Sequence, residues 1–339
     1  MMINSLFILP YHLPLRHPWV TSHGTINNRA GFLVEISEQD SVAGLGDAAP
    51  LPEMGSESLE QCRKTLELLK EEADNISVDD LLARLPDLRN TSPAACCGVE
   101  SALITILAKR CGLTPGSWIS PNATNKIRVN HPAGTLAKAT EPVDGESVIK
   151  VKVGLSSIDE EVAQLYSLAA TLPQHTEIRL DANQAWSITE ASQFISAIQA
   201  LPMPINIESL EEPLKNPTLE TINKLQRETP FPLALDESVS DFGVETLLKN
   251  EQLQRVVLKP ALMGGPYTTF KIATQFKERG VDVIITSALE SSVGIISAAY
   301  CAGAVDPEQR HAHGLATSSL LAEDLMLALP IKNGILTLP

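Results

Sequence analysis

Val148-Ile149-Lys150-Val151-Lys152-Val153-Gly154 sets two lysines into an apolar run that reads as a buried strand. Alternation of period two puts Lys150 and Lys152 on one face and Val151 and Val153 on the other. A charged pair aimed into a domain interior costs on the order of several kcal/mol unless anionic groups meet it. The alternative is an edge strand whose lysines face solvent and block further pairing. The two readings part on what the neighbouring strands carry.

Downstream of Lys126 the chain alternates strand and helix. Strand-like apolar runs begin near Ile127, Val148, Ile178, Ile205, Leu233, Val256 and Val283, with helical patterns between them. Ser157 with Glu160, and Ser187 with Glu190, have capping-box spacing, and Pro266 after Gly264-Gly265 suits a first helical turn. Strands alternating with helices imply parallel βαβ units, and seven or eight of them close into a barrel. Upstream, Phe7–Leu9 and Gly31–Ile36 read as strands and Gly44-Leu45-Gly46 as a turn. Leu15 to Asn28 reads as a polar loop bearing Arg16, Trp19, Ser22 and His23, a candidate binding element. Helices follow: one starting at Ser56 with Leu59, Cys62, Leu66 and Leu69 on a stripe, and one starting at Ser92-Pro93 with a buried stretch from Gly98 to Arg110. Pro115 to Asn125 reads as a linker. The predicted fold class is α/β: a modified (β/α)7–8 TIM-type barrel over residues 121–314 with an N-terminal α+β capping domain over 1–120.

Functional residues of such barrels sit at the C-terminal ends of the strands. Those ends carry Lys150 and Lys152, then Asp181 and Asn183, then Glu208, Glu211 and Glu212, then Asp236 and Glu237, then Lys259, then Thr286, Ser287, Glu290 and Ser291. Three successive strands thus end in carboxylates between strands that end in lysine. Any one of these acids could be a helix N-cap. Together they repel unless a cation joins them, and hard oxygen donors with open positions suit Mg²⁺, whereas Zn²⁺ would recruit His or Cys. Such a cation, holding a substrate carboxylate, stabilises the enediolate left when the α-proton is removed. A lysine beside cationic neighbours gives up its proton more readily, which makes Lys152 the candidate base, Lys150 its supporting charge and Lys259 the acid or charge stabiliser across the barrel.

Composition bounds the rest. The 339 residues are 44% hydrophobic with a net charge of −15 and no basic stripe, so no nucleic-acid partner is expected. No apolar run is long enough to insert in a membrane. Cys62, Cys96, Cys97, Cys111 and Cys301 fit neither a zinc site nor a disulfide framework and read as reduced residues of a cytoplasmic protein.

Lys-x-Lys, RLDANQAW (179–186), SLEEPL (209–214), ALDES (234–238), VVLKP (256–260) and SALESSVG (287–294), in that order, resemble the enolase superfamily in its muconate-lactonizing branch. Within the branch they are most similar to the o-succinylbenzoate synthase family. The resemblance implies Mg²⁺, with Mn²⁺ as a candidate substitute, on Asp181, Glu211 and Asp236, and Lys152 and Lys259 as the catalytic pair. It implies a small anionic carboxylate substrate, a syn dehydration in menaquinone biosynthesis, a capping loop at Leu15–Asn28, and a C-terminal tail, about 315–339, that returns to the capping domain. Lys150, Asn183, Glu237, Ser287, Glu290, Arg16, Trp19, Ser22 and His23 are the supporting candidates. N-acylamino acid racemases and dipeptide epimerases share this machinery, although the Asp-x-Asp of the epimerases has no counterpart in SALESSVG or HAHGLATSS. The chain is expected as a monomer or homo-oligomer.

Overall fold

The structure is a computed structural model and describes residues 2–21, 24–38, 43–74, 76–139 and 147–339. Ser22 and His23 lie outside the described residues. Its strands are β1 (Ile3–Thr21), β2 (Gly24–Glu38), β3 (Ala43–Ala48), β4 (Lys126–Arg128), β5 (His131–Thr135), β6 (Val148–Lys152), β7 (Glu177–Asp181), β8 (Ile207–Glu211), β9 (Leu233–Leu235), β10 (Arg255–Leu258), β11 (Asp282–Ile285), β12 (Ile331–Lys332) and β13 (Ile335–Thr337). The helices of the N-terminal part are α1 (Leu59–Ala73), α2 (Val78–Arg84), α3 (Pro93–Arg110) and α4 (Pro115–Ile119). Those that follow are α5 (Ile158–Thr171), α6 (Ile188–Gln199), α7 (Leu219–Glu228), α8 (Glu237–Phe242), α9 (Val244–Leu247), α10 (Pro260–Met263), α11 (Pro266–Glu278) and α12 (Ser292–Val305).

Seven parallel strands run in the order β11-β10-β9-β8-β7-β6-β5. The ring closes through His313 and Gly314. His313 bridges Val129 just before β5, and Gly314 bridges Thr286 just after β11. The expected barrel is therefore present. The capping boxes at Ser157 and Ser187 form as predicted, as does the first-turn proline of α11. Ile149, Val151, Ile178, Leu180, Leu210, Val256 and Leu258 join one apolar cluster with the surrounding helices. Alternation then turns Lys150, Arg179, Glu211 and Val257 into the barrel interior.

Several local readings are corrected. Ile127 does not start the barrel: β4 pairs with β13 in a separate antiparallel sheet, and the first barrel strand is β5. That strand contains Pro132 and Gly134, which weaken any strand signal. Leu15–Asn28 is largely a two-stranded ribbon, because β1 and β2 stay paired out to Trp19 with Ile26 and beyond. The Pro115–Asn125 linker begins as α4, whose Thr114 cap accepts from Ser117 N at 3.2 Å and whose proline is a helix start. Helix α1 is capped by Ser58, while Ser56 Oγ takes Leu51 N at 2.6 Å.

Gly44-Leu45-Gly46 is not a turn but the middle of β3, which pairs with β2. Its glycines are explained by contact: a Cβ at Gly46 would overlap the carbonyl of Gly98, and one at Gly44 that of Ala102. Helix α3 thus lies directly on the backbone of β3. Gly46→Ala should destabilise the protein by about 3 kcal/mol through overpacking. Urea unfolding reads this, and a loss under about 0.5 kcal/mol would show that α3 can shift away at no penalty.

Candidate active site

Lys152 and Asp181 are register partners on β6 and β7, and Asp181 and Glu211 on β7 and β8. Asp236 follows β9 directly, and Lys259 follows β10. Parallel strands lie about 4.8 Å apart, so the acids of three adjacent strands are held side by side. They are buried, with Asp181 4% and Glu211 1% exposed. All three line one pocket with Lys150, Lys152, Lys259, Asn183, Ser287 and Trp19.

The lysines divide into two kinds. Lys150 Nζ stands between Asp181 Oδ2 (2.9 Å) and Glu211 Oε1 (2.6 Å). Lys259, almost fully buried, is paired with Asp236. Lys152 faces the same pocket and forms no ion pair among the described residues. Asp236 occupies the N-cap position of α8 but makes no side-chain cap bond, so capping does not account for it.

The charges shift one another. Burial pushes the Lys150 ammonium toward losing its proton, but Asp181 and Glu211 outweigh that and raise its pKa. Burial likewise acts on Lys259 and is outweighed by Asp236 and Glu237. Burial raises the Asp181 carboxyl, yet Lys150 beside it leaves it below the ordinary range. Glu211 goes the other way. Burial lifts it and Lys150 pulls it back, while Asp181 and Asp236 push it up again, to about 7. Asp236 is raised by burial despite Lys259.

Among the described residues, no group of three or more His, Cys, Asp and Glu side chains is drawn together closely enough to form a ready metal cluster. Ammonium groups stand against the carboxylates instead. The donor chemistry nonetheless fits a hard divalent cation: three buried carboxylates, two of them, Glu211 and Asp236, with proton affinity raised by burial and by neighbouring acids, and Glu237 Oε2 beside them buried without a hydrogen-bond partner. The residues suited to hold it are Asp181, Glu211 and Asp236.

The remaining candidates scatter. Asn183 donates from its backbone to Asp181 Oδ1 (3.1 Å) and from its amide to Glu237 Oε1 (3.3 Å). Ser287 Oγ pairs with Thr317 Oγ1 at 2.6 Å. Trp19 reaches the pocket from the β1–β2 ribbon and packs with Ile26, Leu51 and Met54. Arg16 does not reach it: its Nε donates to Ser319 O at 3.1 Å on the exposed side. Glu290 turns away from the pocket and accepts from Ala288 N (2.6 Å), close to Asp47 and Arg29. Glu212 accepts from Asp236 N (2.7 Å), Ser238 N (2.8 Å) and Ser238 Oγ (2.8 Å) and so fixes the β9–α8 turn. Sequence reading passed over Asn130, Leu289, Thr317 and Leu320, which also line the pocket. Asn130 and Leu289 lie on irregular backbone, and Thr317 and Leu320 on a single short 3-10 turn, where no periodicity marks a facing.

Beneath the acids lies a second charged layer. Arg179 holds Glu208 through two 3.0 Å bonds, and Arg255 pairs with Glu208 and with Asp282. Burial raises the Glu208 carboxyl, but Arg179 and Arg255 bring it down to about 2.

Comparison with known proteins places this arrangement. Residues 135–339 match the family described as enolase C-terminal domain-like, and residues 3–104 match the MenC N-terminal domain. The chain belongs to the enolase superfamily. It is 28% identical over 301 residues to an o-succinylbenzoate synthase of Aliivibrio fischeri, covering 89% of this chain and 87% of that one. It is 29% identical over 300 residues to that of Yersinia pseudotuberculosis, covering 88% and 85%. Among solved structures, the L-Ala-D/L-Glu epimerase of Bacillus subtilis shares the fold with a TM-score of 0.86 at 21% identity, covering 100% of this chain and 97% of that one. A dipeptide epimerase of Enterococcus faecalis V583, complexed with Mg and L-Leu-L-Tyr, shares it with a TM-score of 0.85 at 21% identity and coverages of 100% and 98%. MenC from Desulfotalea psychrophila LSv54 shares it with a TM-score of 0.78 at 22% identity and 100% coverage of both chains. No helix among the described residues is long and apolar enough to cross a membrane.

Glu208 tests the second layer. Its folded pKa is depressed, so its stabilisation is complete above the ordinary carboxylate value of about 4.3 and is lost as pH falls toward about 2. Glu208→Gln leaves the buried Arg179 guanidinium without its carboxylate and Arg255 with Asp282 alone, and should cost about 3 kcal/mol at neutral pH, with the deficit narrowing as the wild type is acidified through that window. Denaturant melts across pH measure it; a deficit that does not change with pH would assign the loss to packing.

Proposed function

We propose that the chain is a Mg²⁺-dependent o-succinylbenzoate synthase, a lyase that dehydrates 2-succinyl-6-hydroxy-2,4-cyclohexadiene-1-carboxylate to 2-succinylbenzoate. The observation that carries the chemistry is Lys152, without an ion pair among the described residues, facing in one pocket Lys259 on the far side and the acids of three successive strands between them. The similarity to o-succinylbenzoate synthases over most of both chains supports the substrate.

The roles follow from position. Asp181, Glu211 and Asp236 would hold the cation, which supplies positive charge to the substrate carboxylate when bound. Lys152 Nζ, as the free amine, takes the proton from the carbon next to that carboxylate. The same ammonium then returns the proton to the departing hydroxyl, so the C–O bond breaks and water leaves on the face from which the proton came. Lys259, buried on the opposite side, keeps its proton and balances the negative charge that develops on the carboxylate oxygens. Lys150 holds Asp181 and Glu211 in place from below. Trp19 closes over the mouth.

A second reading is racemisation or epimerisation of an N-acylated amino acid or dipeptide. Two lysines on opposite sides of one pocket are what a proton exchange between two faces requires. Solvent deuterium entering both enantiomers of such a substrate, with no dehydration, would favour it.

Lys152→Ala should lower the dehydration rate by about 10³-fold with the fold intact, and EDTA should abolish turnover until Mg²⁺ is restored. An absorbance assay of 2-succinylbenzoate formation reads both. Turnover that survives either treatment would sink the assignment.

A further inference from the structure

Each strand of the N-terminal sheet sends one polar side chain to the same place, the barrel loop after β11. Tyr11 of β1 donates to Asp47 Oδ1 at 2.6 Å. Asp47 of β3 accepts from Ser291 N (2.9 Å) and Ser291 Oγ (2.6 Å). Arg29 of β2 is 4% exposed and donates to three carbonyls: Nε to Leu289 O (3.0 Å), Nη1 to Pro50 O (2.9 Å) and Nη2 to Ala49 O (2.9 Å).

Leu289 is the unusual partner. Its φ of +63° lies in the left-handed region that a leucine avoids, and it lines the catalytic pocket beside Ser287. A residue persists in such a backbone only where its surroundings over-determine it. Arg29 supplies that determination from outside the barrel, tying the Leu289 carbonyl to the same guanidinium that holds the 49–50 backbone. Only a guanidinium spreads donors to three separate carbonyls in one plane.

We infer that Arg29 is a positioning residue, which sets the Leu289 wall of the pocket and through it the fit of the non-reacting part of the substrate. The inference rests on reading this pocket as the dehydration site. It makes the N-terminal sheet part of substrate selection through the barrel's own loop, beyond what its ribbon contributes at the mouth. A plain staple between the sheet and the barrel would affect stability alone.

The test uses the full chain with Arg29→Lys and Arg29→Ala. Lysine keeps the charge beside Asp47 and Glu290 but cannot reach all three carbonyls. Arg29→Lys should raise KM by about tenfold while kcat changes less than about threefold, because the lost contact is to a part of the substrate that does not react. Amide exchange at 288–291 should quicken, and added guanidinium should restore KM in Arg29→Ala. An unchanged KM in Arg29→Lys beside a lowered unfolding midpoint overturns the inference, as does a folded Arg29→Ala that guanidinium does not rescue. If Arg29→Ala does not fold, the lysine variant decides. If the wild type does not dehydrate the substrate, that reading fails by itself. Exchange at 288–291 in Arg29→Lys then decides the inference, and unchanged exchange refutes it.

Discussion

Repulsion between carboxylates on adjacent parallel strands is the constraint around which this molecule is arranged. The sheet register places Asp181 beside Glu211, and the turn after β9 adds Asp236. Hydrogen bonding between strands fixes that spacing, so the acids cannot separate without breaking the barrel. Charge of the opposite sign has to come to them. Lys150 and Lys259 bring it from the two flanks, while burial first, and then Asp181 and Asp236, keep the proton affinity of Glu211 raised.

The same reasoning extends down the barrel. Its interior is not a stack of apolar layers. Arg179, Glu208 and Arg255 fill the space below the acids, with Asp282 at the lower end. Apolar residues occupy the outer strand faces, against the helices. On β6, β7 and β8 one face thus serves stability through burial and the other serves charge, while Ala234, Val257 and Ile284 form an apolar patch on the inner side of β9 to β11, and Val-Ile-Lys-Val-Lys alternates accordingly. A purely apolar interior would give the upper acids no fixed cationic floor.

Much of this was legible in the sequence because periodic elements carried it. The βα alternation, the capping boxes and the acids ending three strands all follow from local spacing, and the structure places Lys150, Lys152, Asp181, Glu211, Asp236 and Lys259 in one pocket. What was misread depends on tertiary contact. Gly44 and Gly46 look like a turn until α3 is laid on them. His131–Thr135 does not look like a strand, since Pro132 and Gly134 interrupt it, and its place is secured by β6 on one side. The polar residues of 15–28 suggested a loop because a two-stranded ribbon projecting from its sheet can be polar on both faces. Glu290 directly follows pocket-lining Leu289 in the chain, but the left-handed backbone of Leu289 turns it behind the wall. Arg29 gave no signal at all, because its three acceptors are carbonyls, and carbonyls are the same in every sequence.

The closure of the ring by His313 and Gly314 has a consequence for how the chain reaches this state. Residues 129 and 313 must meet before the barrel has no open edge, and Asp47 finds Ser291 across a separation of 244 residues. Contacts so distant in sequence are slow to form, since loop closure must come before any gain from them. The β1–β2 ribbon and α3 can organise from local contacts as soon as they are synthesised. The pocket wall has to wait for nearly the whole chain, so a nascent or truncated form can hold a well-formed N-terminal sheet and still have nothing for it to close upon.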